Sequence, residues 1–332
     1  MMSSTIRIPF DELVTTLAAI LEREGFARDD ARECARLFAE TSRDGVASHG
    51  VARFPRFVQA VRDGIVDPAA RAECVAAAGA IERWDGRRGA GNLNAWAAMA
   101  RAVALSRVHG IGAVALGNTN HWMRGGTYGW QAADAGVVGI CWTNTMPNLP
   151  PWGATDARVG NNPLVVAVPR ADGHVVLDMA MSQFSYGALE RHRREGRALP
   201  VPGGYDSGGT LTTDAAAIEA SGRPLPVGYW KGSGLALALD LVAAVLSGGR
   251  ATHEIPADPA RETGLSQLFL ALDPASLGSA ADAERTAGAI VSHLCGEQHD
   301  VRYPGQRVLD ARRESARLGV AVDRDLWERV SR

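Results

Sequence analysis

Apolar positions recur at helical spacing through the first 70 or so residues. Leu13, Leu17 and Leu21 repeat every four residues, Ala31, Cys34 and Phe38 keep the same rhythm, and Phe54, Phe57, Val58 and Val61 line a third face. Gly25, Gly45 and Gly64 fall where those periods stop, so three helices joined at glycine turns are predicted. From about residue 76 the rhythm shortens. AAGAIERWDG, IGAVALGN, VVGICWTN, PLVVAVPR and HVVLDMA are short β-rich runs bounded by Gly, Asn or Pro, as strands are. Two longer apolar runs break into them. NLNAWAAMARAVALSRVHG carries a stripe of Trp96, Met99, Ala100 and Val103 and stops at Gly110; GSGLALALDLVAAVLSGG is apolar on nearly every side, which predicts a buried helix. Residues 195–230, rich in Gly, Pro and Thr, read as a long loop. Past about residue 300, QRVLDARRESARLG and DLWERVSR return to helical spacing. The pattern predicts a mixed α/β core: a helical domain from 1–72 plus 300–332, and a central mixed-sheet domain over 73–299.

Composition narrows the class. The 332 residues are enough to bury a core, and 35 Lys and Arg against 37 Asp and Glu leave no positive excess for a nucleic-acid backbone or an anionic membrane surface. No apolar run approaches the roughly 20 residues that span a bilayer. MMSSTIRIPFDELVTT lacks the basic-then-apolar order of an export signal. Cys34, Cys74, Cys141 and Cys295 are far apart with no C-x-x-C pair, which suggests neither a zinc site nor a disulfide framework. A cytoplasmic protein acting on a small molecule is expected.

Candidate chemistry sits in polar islands between the apolar runs. SRDGVASHGVARFPRF places His49 among small residues, with Arg43 six positions before it and Arg53 four after. A carboxylate substrate would be held by a guanidinium fork, and its reacting carbonyl needs a proton source that titrates near neutrality, as histidine does. NTNHWMRGGTYGW adds His121 and Arg124 after a strand, and LDMAMSQFSYG puts Asp178 near the end of another; a loop-bonded histidine and a helix cap are the plainer readings of His121 and Asp178. In GYWKGSG, Lys231 precedes an apolar helix whose N-terminal amides favour an anion, although a solvated lysine fits equally well. Glycine pairs at Gly89 and Gly91, and at Gly232 and Gly234, do not complete the G-x-G-x-x-G fingerprint.

These islands, in this order, resemble the type 2 malate/L-lactate dehydrogenase family, nicotinamide-dependent oxidoreductases that do not use the Rossmann fold. The likeness is carried by RDGVASHGVAR at 43–53, NHWMRGGTYGWQAADAGVVGICWTN at 120–144, PWGATDARVGNNP at 151–163 and DMAMS at 178–182. PPWGA, FSYGALE, GYWKGSG and YPG bring it nearest to the branch that reduces 2,3-diketo-L-gulonate at C2 to 3-dehydro-L-gulonate. The resemblance implies a predominantly antiparallel central sheet flanked by helices, a helical domain from both termini, and a homodimer with active sites near the subunit interface. It implies catalytic roles for His49, as proton donor, and for Arg43 and Asp178, with Arg53 and His121 on the substrate. Cofactor contacts are implied at His174, Val175, Val176, Leu177, Asp178, Met179 and Ala180, at Trp230 and Lys231, and at Gly305, Gln306 and Arg307. Trp122, Trp230 and Asn161 depart from the family pattern and favour a larger polyol acid over malate or lactate.

NADH is the expected cofactor, with NADPH the alternative, because few Arg or Lys residues cluster beside those segments in sequence. Reductases of malate, lactate, ureidoglycolate or a cyclic imino acid are the near alternatives. A metal-dependent sugar-acid isomerase or lyase on His49, His121 and Asp178 is the rival from another class, and the lack of H-x-H or H-x-x-x-H spacing argues for no metal. A non-catalytic sugar-acid binding protein is a third, disfavoured by the two histidines.

Overall fold

Leu13, Leu17 and Leu21 are fully buried, and the faces formed by Ala31, Cys34 and Phe38 and by Phe54, Phe57, Val58 and Val61 close on them. The computed structural model describes residues 5–296 and 301–331. Strand β1 (Thr5–Ile8) precedes helices α1 (Phe10–Arg23) and α2 (Arg28–Arg43), two 3₁₀ turns at Ala47–His49 and Val51–Arg53, and α3 (Phe54–Arg62). Strands β2 (Glu73–Ala78) and β3 (Ile81–Asp85) lead through α4 (Gly91–His109) to β4 (Ile111–Thr119), α5 (Gly126–Asp134), β5 (Val138–Thr143), β6 (Leu164–Val168) and β7 (Val175–Met179). An excursion of α6 (Tyr186–Glu195), β8 (Gly204–Tyr205), β9 (Leu211–Thr212) and α7 (Ala215–Ser221) comes before α8 (Trp230–Ser247). Then follow β10 (Leu265–Leu272), α9 (Ala280–Cys295), α10 (Gln306–Leu318), β11 (Val320–Asp323) and α11 (Arg324–Val330).

The first core joins both ends of the chain. Val320, Val322 and Trp327 pack into the cluster of α1, α2 and α3, and β1 pairs antiparallel with β11, Ile6 opposite Val322. The second core is the central sheet, of order β2-β3-β4-β10-β5-β6-β7, in which only the β3–β4 pair is parallel. Strand alternation makes it a three-layer structure. Val114, Leu116, Phe269 and Ala271 face α4 and α5, while Ala115 and Leu268 face Ala236, Leu239 and Ala243 of α8. The result is a mixed α/β fold with a mostly antiparallel sheet flanked by helices.

Four details depart from the sequence pattern. β10, the middle strand, lies where no strand is predicted; both its faces are covered, so LSQLFLAL shows no alternation. Of the predicted stripe α4 buries Met99 fully and Trp96 and Val103 in part, and its closest face is Ala95, Ala98, Ala102 and Leu105, because small side chains let the helix lie close on the sheet. Residues 195–230 are not one loop: β8, β9 and α7 lie within them, and Leu199, Ala215 and Ile218 pack with Leu189 of α6 in a small core of their own. α8 is buried on one side only. Leu235, Leu237, Leu241, Val242 and Val245 are exposed, Val245 by 70%. At 18 residues and a mean hydropathy of 1.3, α8 is long and apolar enough to cross a membrane by length and composition. Its inner face, however, packs on β10, β4 and β5, and its Asp240 accepts from Thr252 N–H and Asn144 Nδ2.

Candidate active site

The turn that carries His49 is shaped by its neighbours. Ser42 Oγ accepts from Val51 N–H at 2.9 Å, and a Cβ on Gly50 would lie 2.1 Å from that oxygen, so only glycine lets the chain fold back on α2 here. His49 Nδ1 lies 3.0 Å from Ser48 Oγ, and its ring stacks on His121 with centroids 5.8 Å apart and planes 15° from parallel. His121 Nδ1 accepts from Met123 N–H at 3.0 Å, which puts the proton of the neutral ring on Nε2. Two histidines separated by 72 positions thus share one wall.

That wall belongs to a cleft of about 950 Å³. Arg53 and Arg124 line it beside the histidines, Asp178 of β7 faces it, and Glu262 closes another side. Asp178 Oδ2 accepts from Gly126 N–H at 2.8 Å; its exposed surface opens on the cleft, whose walls push its pKa up against the opposing pull of Arg124 and that N–H. Arg53 forms no ion pair or side-chain hydrogen bond among the described residues; burial first, then the charge of Arg56, bring its pKa down to about 10. His49 is pushed down to about 4, by burial and then by Arg53 and Arg124, and burial pushes His121 well below its ordinary value too. The expectation that His49 titrates near neutrality is therefore corrected for the ligand-free protein: an enclosed imidazole beside two cations stays neutral.

Arg43 is not brought into the cleft. Its Nε lies 3.0 Å from Asp44, its Nη1 lies 3.5 Å from Glu40, and its guanidinium covers Phe10. Asp44 also takes Arg124 at 2.6 Å and Arg312 at 2.8 Å, so one buried carboxylate ties the end of α2 to the Arg124 loop and to α10. Burial alone would raise its pKa, but the three guanidinium groups hold it below the usual carboxylate range. Asp44 is the middle letter of RDG, a signal that could have singled it out; nothing in the sequence pattern points to Arg312 or Glu262.

The implied cofactor segments meet in part. Val176, Leu177, Asp178, Ala180 and Gly305 line the cleft. Val176 N–H donates to Pro304 O at 2.9 Å, and Gly305, at φ 99°, sits so close that a Cβ would lie 3.0 Å from Val176 N. His174 is engaged beneath, accepting from Arg170 N–H and bonded to Asp134 at 3.0 Å, while Val175 and Met179 do not line the cleft. Arg307 lines a neighbouring cavity of about 510 Å³ with Arg302, so the premise that few cations stand beside these segments does not hold in three dimensions. Trp230 and Lys231 stay outside the cleft, at the exposed start of α8. Trp122 is buried, packed with Tyr128 and Phe269, so it acts on the cleft as part of its wall. Asn161 lines the cleft and accepts from Ser182 N–H through Oδ1 at 2.9 Å.

The surroundings fit a nicotinamide dinucleotide. Trp130 Nε1 and Arg124 Nε on the cleft wall, and Gln306 Oε1 next to Gly305, are buried without hydrogen-bond partners among the described residues, a mixture of donors and an acceptor that a polar ligand would satisfy. Among the described residues, no three His, Cys, Asp or Glu side chains converge to hold a metal ion.

A family profile described as malate/L-lactate dehydrogenase matches residues 8–331. The chain belongs to the malate/L-lactate dehydrogenase family. As a member, it is an oxidoreductase that takes a nicotinamide cofactor and a small-molecule substrate. It is 44% identical, over 330 residues, to the 2,3-diketo-L-gulonate reductases of Salmonella typhimurium strain LT2 and of Escherichia coli O17:K52:H18; each alignment covers 98% of this chain and 99% of the relative. Its fold is similar to that of delta1-piperideine-2-carboxylate reductase from Pseudomonas syringae, with a TM-score of 0.88 at 29% identity over 98% of this chain and 99% of that one. Sulfolactate dehydrogenase from Methanocaldococcus jannaschii superposes with a TM-score of 0.90 at 26% identity over 98% and 95%.

Proposed function

We propose that the chain reduces 2,3-diketo-L-gulonate at its C2 carbonyl to 3-dehydro-L-gulonate, with NADH as the donor. The observation that carries this reading is the juxtaposition of His49 with Arg53, a guanidinium that forms no ion pair among the described residues, in a full-length relative of such reductases. When bound, the nicotinamide supplies the hydride. Arg53 holds the substrate carboxylate, and His49 donates a proton to the C2 oxygen as negative charge develops on it. The carboxylate cancels part of the charge that keeps His49 neutral, so substrate binding and proton uptake go together. His121, fixed by Met123 N–H, keeps the His49 ring in plane from behind. Asp178, with Oδ2 on Gly126 N–H, keeps Oδ1 for substrate or cofactor.

The exposed apolar side of α8 supports a homodimer, since five large aliphatic side chains in open water are a liability that a second copy would remove. Four free thiols, Cys34, Cys74, Cys141 and Cys295, are compatible with a cytoplasmic setting. The test is NADH consumption with 2,3-diketo-L-gulonate, oxaloacetate, pyruvate, ureidoglycolate's keto form and a cyclic imino acid, with sedimentation equilibrium on the same sample. Highest kcat/KM for the diketo acid and a dimer mass are expected; a better short keto acid overturns the substrate, and a monomer overturns the assembly. Arg302 and Arg307 are the reason to run NADPH in parallel, because a 2′-phosphate recruits arginine.

A further inference from the structure

Glu262 stands in the cleft without a role in the reaction just described. It follows the 3₁₀ turn Pro259–Arg261, which Asp258 caps through Ala260 N–H and which Arg56 pins by donating to Pro259 O. Its Oε1 accepts from Met146 N–H at 3.3 Å, and Oε2 forms no hydrogen bond among the described residues. Met146 belongs to the loop after β5 that also brings Thr145 and Asn148 to the cleft; Arg53 and Arg56 line it from the α3 side. Glu262 is thus clamped between the wall that would hold a carboxylate and a wall of neutral polar groups. It also borders a recess of about 80 Å³ that it shares with Arg53, Asn120 and His121. Burial pushes its pKa up, while Met146 N–H, Arg53 and Arg56 oppose that shift.

A half-buried carboxyl group that faces the cleft this way, with one oxygen on Met146 N–H and the other open to it, loses hydration when a ligand fills the cleft, which is costly unless that ligand donates hydrogen bonds. Short keto acids offer acceptors and methyl or carboxylate groups, not donors. A chain of secondary hydroxyls offers donors in series, and a carboxylate accepts two of them at once. We propose that Glu262 recognises hydroxyl groups of the substrate beyond the reacting carbonyl, so that the cleft selects a polyhydroxylated keto acid over a short one. This rests on the reductase reading of the same site and names the residue that sets its substrate class.

The test compares Glu262→Ala and Glu262→Gln with the unaltered enzyme on 2,3-diketo-L-gulonate and on pyruvate, and follows binding of L-gulonate and L-lactate by tryptophan fluorescence. The expected result is a loss of about tenfold to a hundredfold in kcat/KM for the diketo acid in Glu262→Ala, a smaller loss in Glu262→Gln, and a change below about threefold with pyruvate. Equal losses on both substrates would mean that Glu262 serves Arg53, and would overturn the proposal, as would no loss on either. Binding separates the two readings. An enzyme that prefers L-gulonate to L-lactate but does not turn over the diketo acid sinks the reaction and supports Glu262; a preference that is missing, or unchanged in Glu262→Ala, sinks Glu262.

Discussion

Arg43 and Arg53 flank the same histidine in sequence and end in opposite electrostatic surroundings. Arg43 joins Arg124 and Arg312 around Asp44, where three cations share one buried carboxylate; Arg53 reaches the cleft and meets no carboxylate of the described residues within ion-pairing distance. A guanidinium that already has its anion holds the fold together, because separating it would strand a buried charge. One with no carboxylate of the described residues within ion-pairing distance is held ready for a ligand's. The comparison teaches that motif membership does not distinguish a structural arginine from a binding one, whereas the partner census does.

The largest effect expected on the binding side of that comparison is at His49. His49→Ala should lower kcat for reduction by about 10²–10⁴ while NADH binding, read by fluorescence titration, changes little. A folded variant that keeps more than about a tenth of the activity would move the proton donor to His121. Next come the two arginines themselves. Arg53→Ala should cost about tenfold to a hundredfold in kcat/KM for an anionic keto acid with little change in thermal stability, and Arg43→Ala should do the reverse, lowering the midpoint of thermal unfolding and leaving kcat/KM within about threefold. Exchanged outcomes would erase the distinction drawn between them.

A slope with pH sharpens the same comparison. His49 is held at about 4 against an ordinary 6.5, so the free enzyme loses its imidazolium as pH rises through 4. Above that point the protonated fraction falls about tenfold per unit, and kcat/KM for reduction should fall with it between about pH 5 and 8. Oxidation of the hydroxy acid needs the neutral ring, already dominant there, and should stay flat over the same interval. A plateau in reduction up to neutral pH would show that burial, with Arg53 and Arg124, does not depress His49 in solution.

Much of the fold is legible in the sequence because periodicity is local. The faces of α1, α2 and α3, and the strand runs from IERWD to VVLDM, follow from which side of each element is apolar. β10 is not legible for the same reason: a strand covered on both faces has no polar side to alternate with. α8 shows the converse. A helix apolar all round reads as buried, yet burial on the outer side needs a neighbour that one chain does not supply.

The sequence by itself determined the elements that have one apolar face, the mixed α/β class, and the order of the islands that carry His49, His121 and Asp178. Only the tertiary structure decided that β1 closes on β11, that His49 stacks on His121, that Arg43 turns to Asp44 and Arg53 to the cleft, and that Glu262 joins them. The division has one physical cause. Side-chain chemistry and spacing fix what a segment can do, but pairing, desolvation and the summed charge at a point depend on residues far apart in the chain, and these come together only when it folds.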